Sequence, residues 1–298
     1  MNDAELGRIL NQASREEILN KLHELIKSHS PTLISNVHPC YLKSKISDVI
    51  SSDEEVSTYI SSLPLVHCLD AWKYVGRAFQ AINRGDSATA CHLAYYAELR
   101  ATISILVSQG IAVFEDGFII LKSDGHHQHV HMSGIRSTHQ IAWILLSRLC
   151  KDTNFTDFLS RIISVEGHKL NDFLFKFGYT SSSLKSFWSE NLSKWGIDLK
   201  LAYLEQQRRN LASYHPNWFI RHHYSPYKEI IQFCSQIWNF LDYSNKSFIN
   251  MDRILFKKTL EELKNSKEWG KEEYLSKLDE VLMEENVPTG SSLYTYLH

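Results

Sequence analysis

Residues 86–110, DSATACHLAYYAELRATISILVSQG, decide how this chain is read. Asp86 and Ser87 offer N-caps, Gly110 supplies a left-handed stop, and no proline or glycine interrupts the span between them. The spacing predicts a helix over 88–109 whose stripe of Tyr96, Leu99, Ile103 and Leu106 faces a core. Directly after it stands the one convincing β signal. Ile111-Ala112-Val113-Phe114 and Phe118-Ile119-Ile120-Leu121 flank Glu115-Asp116-Gly117, and Asp-Gly between two apolar runs predicts a hairpin turn. Such a hairpin is too small to carry the fold.

Toward the N-terminus, the apolar residues of 4–26 recur at helical spacing, and Ser30-Pro31 ends that helix. A polar, serine-rich segment runs to about Ser52. Ser52 and Glu55 then form a capping box for a short helix expected to stop before Pro64. A second helix is expected over 65–84, closed by Gly85.

Toward the C-terminus, the histidine-rich stretch 123–137 reads as a polar loop, followed by a helix over 138–149. Shorter helices are expected over 155–165 and 183–192, and a long one over 197–214 that Pro216 stops. Ser225-Pro226 starts another, to about Leu241. The charge-rich 251–285 reads as a solvated pair of helices before an irregular tail. The fold class is therefore mainly α, with one inserted hairpin. Its parts are an N-terminal helical region (1–69), a helical core (70–245), and charged C-terminal helices and tail (246–298).

The 298 residues are 43% hydrophobic and 22% charged, an ordinary globular balance that excludes a mainly disordered chain. A net charge of −2 gives no overall positive field, so any polyanion must be gripped by a local patch. The five cysteines, Cys40, Cys68, Cys91, Cys150 and Cys234, are scattered without a Cys-x-x-Cys pair and read as reduced thiols. The opening residues lack the apolar stretch of a signal peptide. The longest apolar run, Ile141 to Leu146, falls far short of the ~20 residues a bilayer needs. A cytoplasmic protein without a membrane partner is expected.

The chemistry concentrates in 205–228. Arg208, Arg209, His215, Arg221, His222, His223 and Lys228 lie among Tyr214, Trp218, Phe219, Tyr224 and Tyr227, with no acid after Glu205. Cations neutralise phosphates while aromatic faces stack unpaired bases, which is how single-stranded nucleic acid is held. The plainer reading is a basic surface with anchoring aromatics. On the helix ending at Pro216, Ile197, Leu201, Leu204, Arg208 and Leu211 share a stripe, and Arg209 lies about 100° round from Arg208. A guanidinium and an imidazole at one helix end suit phosphodiester cleavage, since histidine exchanges a proton near neutral pH and arginine grips phosphate with a planar fork. A salt-bridged arginine and a histidine capping carbonyls is the alternative.

Arg209-Asn210-Leu-Ala-Ser-Tyr-His215 resembles the signature of the HEPN superfamily. That signature is an arginine, often followed by a polar residue, with histidine four to six positions later on the last core helix. Tyr95-Tyr96-Ala97, on a helix that ends at Gly110-Ile111, also resembles the family's early helix, and the two motifs occur in the family's order. The resemblance covers roughly 70–242. It implies a HEPN-like helical bundle and a metal-independent endoribonuclease, commonly dimeric with its motifs apposed across the interface. His215 would serve as general base or acid, Arg209 would stabilise charge at phosphorus, and Asn210 would orient the phosphate or the histidine. Attack by the RNA 2′-hydroxyl would leave a 2′,3′-cyclic phosphate and a 5′-hydroxyl. Arg208, Tyr214, Arg221 and His222 would contact RNA, with Glu98 and Arg100 as weaker candidates that more often form a surface pair. No cofactor or metal is expected. A toxin or anti-phage effector is implied, with an antitoxin or sensor as partner, docked on the charged helices over 257–285.

Three rival classes stay open. One is a HEPN-like module that binds nucleotide, RNA or protein without cutting. Another is a purely structural helical scaffold. The third is a metalloenzyme built on His126, His127, His129 and His131, with Asp124 and His139 near. No P-loop, no dinucleotide-binding glycine motif, no His-Glu-x-x-His and no Gly-x-Ser-x-Gly occurs.

Overall fold

The computed structural model describes residues 2–29, 53–135 and 137–152, together with positions 155, 164–165, 168–169, 176, 178 and 210. Its described part is mostly helical with a small antiparallel sheet. In chain order the elements are α1 (Asp3–Leu10), α2 (Arg15–His29), α3 (Asp53–Asn83), α4 (Ser87–Ser108), β1 (Ile111–Val113), β2 (Gly117–Leu121), β3 (His127–His131) and α5 (Thr138–Leu149). A two-stranded pair follows, β4 (Ser164–Val165) and β5 (His168–Lys169).

The helix that decides the reading forms as expected. Asp86 caps it by accepting from the Thr89 N–H at 3.0 Å. The preceding helix ends in a Schellman turn: Gly85 has φ 74°, and the Asp86 N–H donates to the Ala81 carbonyl at 2.9 Å. The Arg84–Asp86 turn thus folds α4 back against α3, and the two run antiparallel as the main packing pair of the structure. Leu99, Ile103 and Leu106 are buried as the stripe predicts, whereas Tyr96 stays half-buried. From Ala101 to Ser108 every residue is buried, so this half of α4 is enclosed on all faces. Alanines line both helices at essentially zero exposure, Ala71 and Ala78 on α3 and Ala90, Ala97 and Ala101 on α4. Small side chains let helix axes approach closely.

The structure corrects two expectations upstream. The single helix expected over 4–26 is two. The last turn of α1 closes through Gln12 and Ala13 N–H groups on Ile9 and Leu10 carbonyls, and Ser14 then caps α2 by accepting from the Glu17 N–H at 3.2 Å. The Ser14 backbone N–H donates instead to the Leu121 carbonyl at 2.8 Å, so a tertiary bond takes the place of a helical one. The two helices expected on either side of Pro64 are one, α3, with the proline inside. Proline removes one ladder bond and disfavours helical geometry before it. Here burial on both sides, by Val56, Ile60, Leu63, Val66 and Ala71, outweighs that cost. Finally, α1 is clamped to α5, where Arg148 lies over Gly7 and donates to the Asp3 carbonyl at 3.1 Å.

The hairpin forms, but as part of three strands in the order β1-β2-β3, all antiparallel. All residues of β1 and β2 are buried, against α4 and α5, so the sheet is interior rather than an appendage. The turn is not at Asp116-Gly117. Phe114 N–H bonds the Gly117 carbonyl at 2.8 Å, leaving Glu115-Asp116 at the tip. Gly117 belongs to β2, where a side chain would collide with the Val130 carbonyl of β3. That is why glycine stands there. The stretch expected as a histidine loop contains β3, with Phe118 opposite Val130 and Ile119 opposite His129. The helix over 138–149 stands as predicted. Residues 164–165 and 168–169, at the end of and beyond the helix expected over 155–165, are strands. The helices expected over 183–192, 225–241 and 251–285 lie outside the described residues, as does all of the one over 197–214 except position 210.

Among the described residues no helix is long and apolar enough to cross a membrane. Cys91 and Cys150 are buried thiols, and burial pushes the Cys150 thiol up to about 12.

Gly110 is closed to a side chain by both its backbone conformation and its surroundings. Its φ is 88°, and an added Cβ would meet the Ser14 nitrogen at 2.8 Å and the Leu121 oxygen at 3.1 Å. Gly110→Ala should cost about 3 kcal/mol, combining backbone strain with displacement of that junction; urea unfolding measures it. At the helix seam, Ala97→Leu should lose about 1–3 kcal/mol by overpacking, while Lys73→Leu, at an exposed position of α3, leaves the urea midpoint nearly unchanged.

Candidate functional site

From Thr89 to Arg100 α4 carries a line of residues that its neighbours do not fully enclose: Thr89 is exposed, and His92, Leu93, Tyr96 and Arg100 are half-buried. Three- and four-residue steps put them on one face. Rings gather around it from three helices. Tyr74 of α3 stacks on Tyr96 with centroids 5.4 Å apart and planes 29° apart. His92 lies 4.9 Å from the Tyr96 ring, and His139 at the start of α5 meets it edge-on at 5.7 Å. Tyr95, buried to 3% exposure, stacks on His139 at 5.5 Å, and its hydroxyl and His139 Nδ1 are 2.7 Å apart. Two adjacent tyrosines thus do different jobs. Tyr95 anchors α5 from beneath, and Tyr96 lines the accessible face.

Below this ring cluster, among the described residues, two polar contacts bolt α4 to α3. Arg100 Nη1 donates to His67 Nδ1 at 3.2 Å, and Ser104 Oγ donates to the Pro64 carbonyl at 2.7 Å. Because a guanidinium only donates, His67 accepts at Nδ1 and is neutral in this bond. Burial, and then the field of Arg100, hold its pKa well below the usual imidazole range. Glu98 does not form the expected surface pair with Arg100. It is 4% exposed, and two residues of separation put the two side chains about 200° apart round the helix.

Asn210 lies in helical backbone and is half-buried. Arg208, Arg209, Tyr214, His215, Arg221 and His222 lie outside the described residues.

The histidines of β3 form a separate group. Alternation puts His127, His129 and His131 on one face of the strand. His127 and His129 stack at 4.8 Å, His127 Nδ1 lies against Asp53 at the start of α3, and His126 Nδ1 is 3.0 Å from the same carboxylate. The His126 hydrogen bond is the main reason the Asp53 carboxyl sits below its usual range. Burial, then the fields of His127 and His131, lower His129. Among the described residues no group of three His, Cys, Asp or Glu side chains is arranged to hold a metal ion. Asp53 ties this face to a helix start instead.

No family model matches this chain, and neither a curated protein nor a solved structure matches it. The site is argued from its own residues.

Sequence reading missed His67, Ser104 and Tyr74. Each pairs with a partner on the neighbouring helix, and only the antiparallel register set by the Arg84–Asp86 turn brings the pairs together. Tyr95→Phe keeps the ring stack and removes the hydroxyl, so it should lower stability by about 1 kcal/mol. Equilibrium urea unfolding reads the loss, which Tyr95→Phe in a His139→Ala background should largely abolish.

Proposed function

We propose that this protein is a metal-independent endoribonuclease with a HEPN-like helical core, acting as a toxin or anti-phage effector. The observation that carries the reading is the ordered pair of motifs, Tyr95-Tyr96-Ala97 before Gly110-Ile111, and then Arg209-Asn210 with His215. The Tyr95-Tyr96-Ala97 part of the first motif lies on α4, whose accessible line includes His92, Tyr96 and Arg100, and Asn210 of the second lies in helical backbone. Both facts support the reading.

The chemistry follows from what RNA brings. Its 2′-hydroxyl is the nucleophile, so the protein needs only a proton acceptor, a proton donor and a cation for the phosphorane-like charge. His215 removes the 2′-hydroxyl proton or protonates the leaving 5′-oxygen. Arg209 holds a non-bridging oxygen with its fork, and Asn210 orients the pair. In a dimer, a second copy of the motif supplies the complementary proton step. Products end in a 2′,3′-cyclic phosphate and a 5′-hydroxyl.

Purified protein incubated with single-stranded RNA in EDTA should generate those ends. His215→Ala and Arg209→Ala should each lower the cleavage rate by about 100-fold or more while leaving the far-UV spectrum unchanged. RNA retained but not cut by the wild type would identify a binding module instead. Cleavage that survives both substitutions would exclude this pair as the site.

A further inference from the structure

The contact between α3 and α4 holds a titratable group that the proposed cleavage does not use. Pro64 lies twelfth in the 31-residue helix α3. Proline deprives the carbonyl four residues earlier of its usual partner, so the backbone is weakest there and bends most easily. Both polar bolts between the two helices sit at this joint. Ser104 donates to the Pro64 carbonyl itself, and Arg100 donates to His67, one turn beyond. Pro64 and His67 share a face of α3, and Arg100 and Ser104 share a face of α4.

We propose that His67 and Arg100 form a proton-operated latch across the Pro64 joint, which on protonation of His67 releases the later part of α3 from the accessible line of α4. In the closed state the imidazole is neutral and accepts from the guanidinium. A proton on Nδ1 removes the acceptor lone pair, and a cation then faces a cation in a buried seam. Both changes act on the same side of the weakened joint. The part of α3 that would swing carries Tyr74, whose ring covers Tyr96, so opening uncovers the aromatic side of the α4 line.

The surrounding charges favour this assignment. From α4, Arg100 is the charged group whose field acts on His67. Glu98 projects from the far side of α4. On α3 itself, half-buried Asp70 follows one turn later. The Lys21–Glu54 pair between α2 and α3, and the Asp53 contact with β3, lie at the start of α3, about 20 Å along the helix. Arg15 of α2 donates to the Ser108 carbonyl beyond the Ser104 bolt. The sign is that of a histidine whose folded pKa is depressed. The latch contributes its full stability above the unfolded imidazole pKa and loses it as pH falls toward the folded value.

Hydrogen exchange of the full-length protein, corrected for intrinsic rates, tests the proposal between about pH 7.5 and pH 4.5. Amides over 68–83 should lose protection by about tenfold or more on acidification, while those of α5 keep theirs. Glutamine accepts the same bond and does not titrate, so His67→Gln should abolish the loss. Arg100→Met, which removes the opposing charge, should move the His67 imidazole titration seen by NMR toward neutral pH. Loss of protection that is identical in His67→Gln overturns the proposal, and so does simultaneous loss in α5. An Arg100→Met titration that does not move would overturn it even if His67→Gln failed to fold. The proposal stands independently of the nuclease reading.

Discussion

The close antiparallel contact between α3 and α4 is the constraint on which the described structure depends. It begins at the Arg84–Asp86 turn, where a left-handed glycine and an aspartate cap end one helix and start the next within three residues. Alanines at essentially zero exposure on both helices let the axes approach. They leave little area to bury per residue, so specificity falls to the few larger or polar groups set among them. Pro64 with Ser104, His67 with Arg100, and Tyr74 with Tyr96 are three such pairs, each lying at nearly equal separations either side of the turn. A slip of one residue along either helix would misalign all three. The alanines allow the approach, and the polar and aromatic pairs choose the register.

A second constraint acts at the other end of α4. Gly110, Leu121 and Ser14 meet through backbone atoms alone: Leu121 N–H bonds the Gly110 carbonyl at 2.9 Å, and the Leu121 carbonyl receives Ser14 N–H at 2.8 Å. The end of α4, the end of β2 and the start of α2 are thereby fixed without a side chain. This accounts for the break between α1 and α2. It also explains why a sheet of three short strands is wholly enclosed along β1 and β2.

Legibility followed the range of the interaction. Caps and stops act within four residues, so α4 and the Gly85 end of α3 could be read directly. The Ser14 cap on the Glu17 N–H was as local, and the apolar periodicity of 4–26 masked it because the two helices continue the same spacing. Pro64 misled for a different reason: its intrinsic penalty is local, whereas the burial that overrides it comes from α2 and α4. β3 was hidden by composition, since three histidines in five residues resemble a loop more than a strand. In the candidate site, Tyr95-Tyr96 could be singled out from its motif, but the division of labour between the two rings depends on Tyr74 and His139, distant in sequence. Glu98 was misjudged because a charged side chain is by default assigned to solvent.

The two parts of α4 bear on how the proposed cleavage site would be supported. From Ala101 to its end the helix is sealed, carrying buried hydroxyls at Thr102, Ser104 and Ser108 but no accessible charge. The stretch before that leaves accessible a line with an imidazole, a phenol and a guanidinium at His92, Tyr96 and Arg100. A site that relies on substrate-assisted attack needs few groups, but they must be held rigidly and kept partly wet so that RNA can enter. Rigidity at this line comes from below, through the Tyr95–His139 contact and the Arg100–His67 bond, rather than from the line itself. The arrangement separates support from contact. Half-buried residues face outward, and their fully buried neighbours, one position away or across the helix pair, hold them in place.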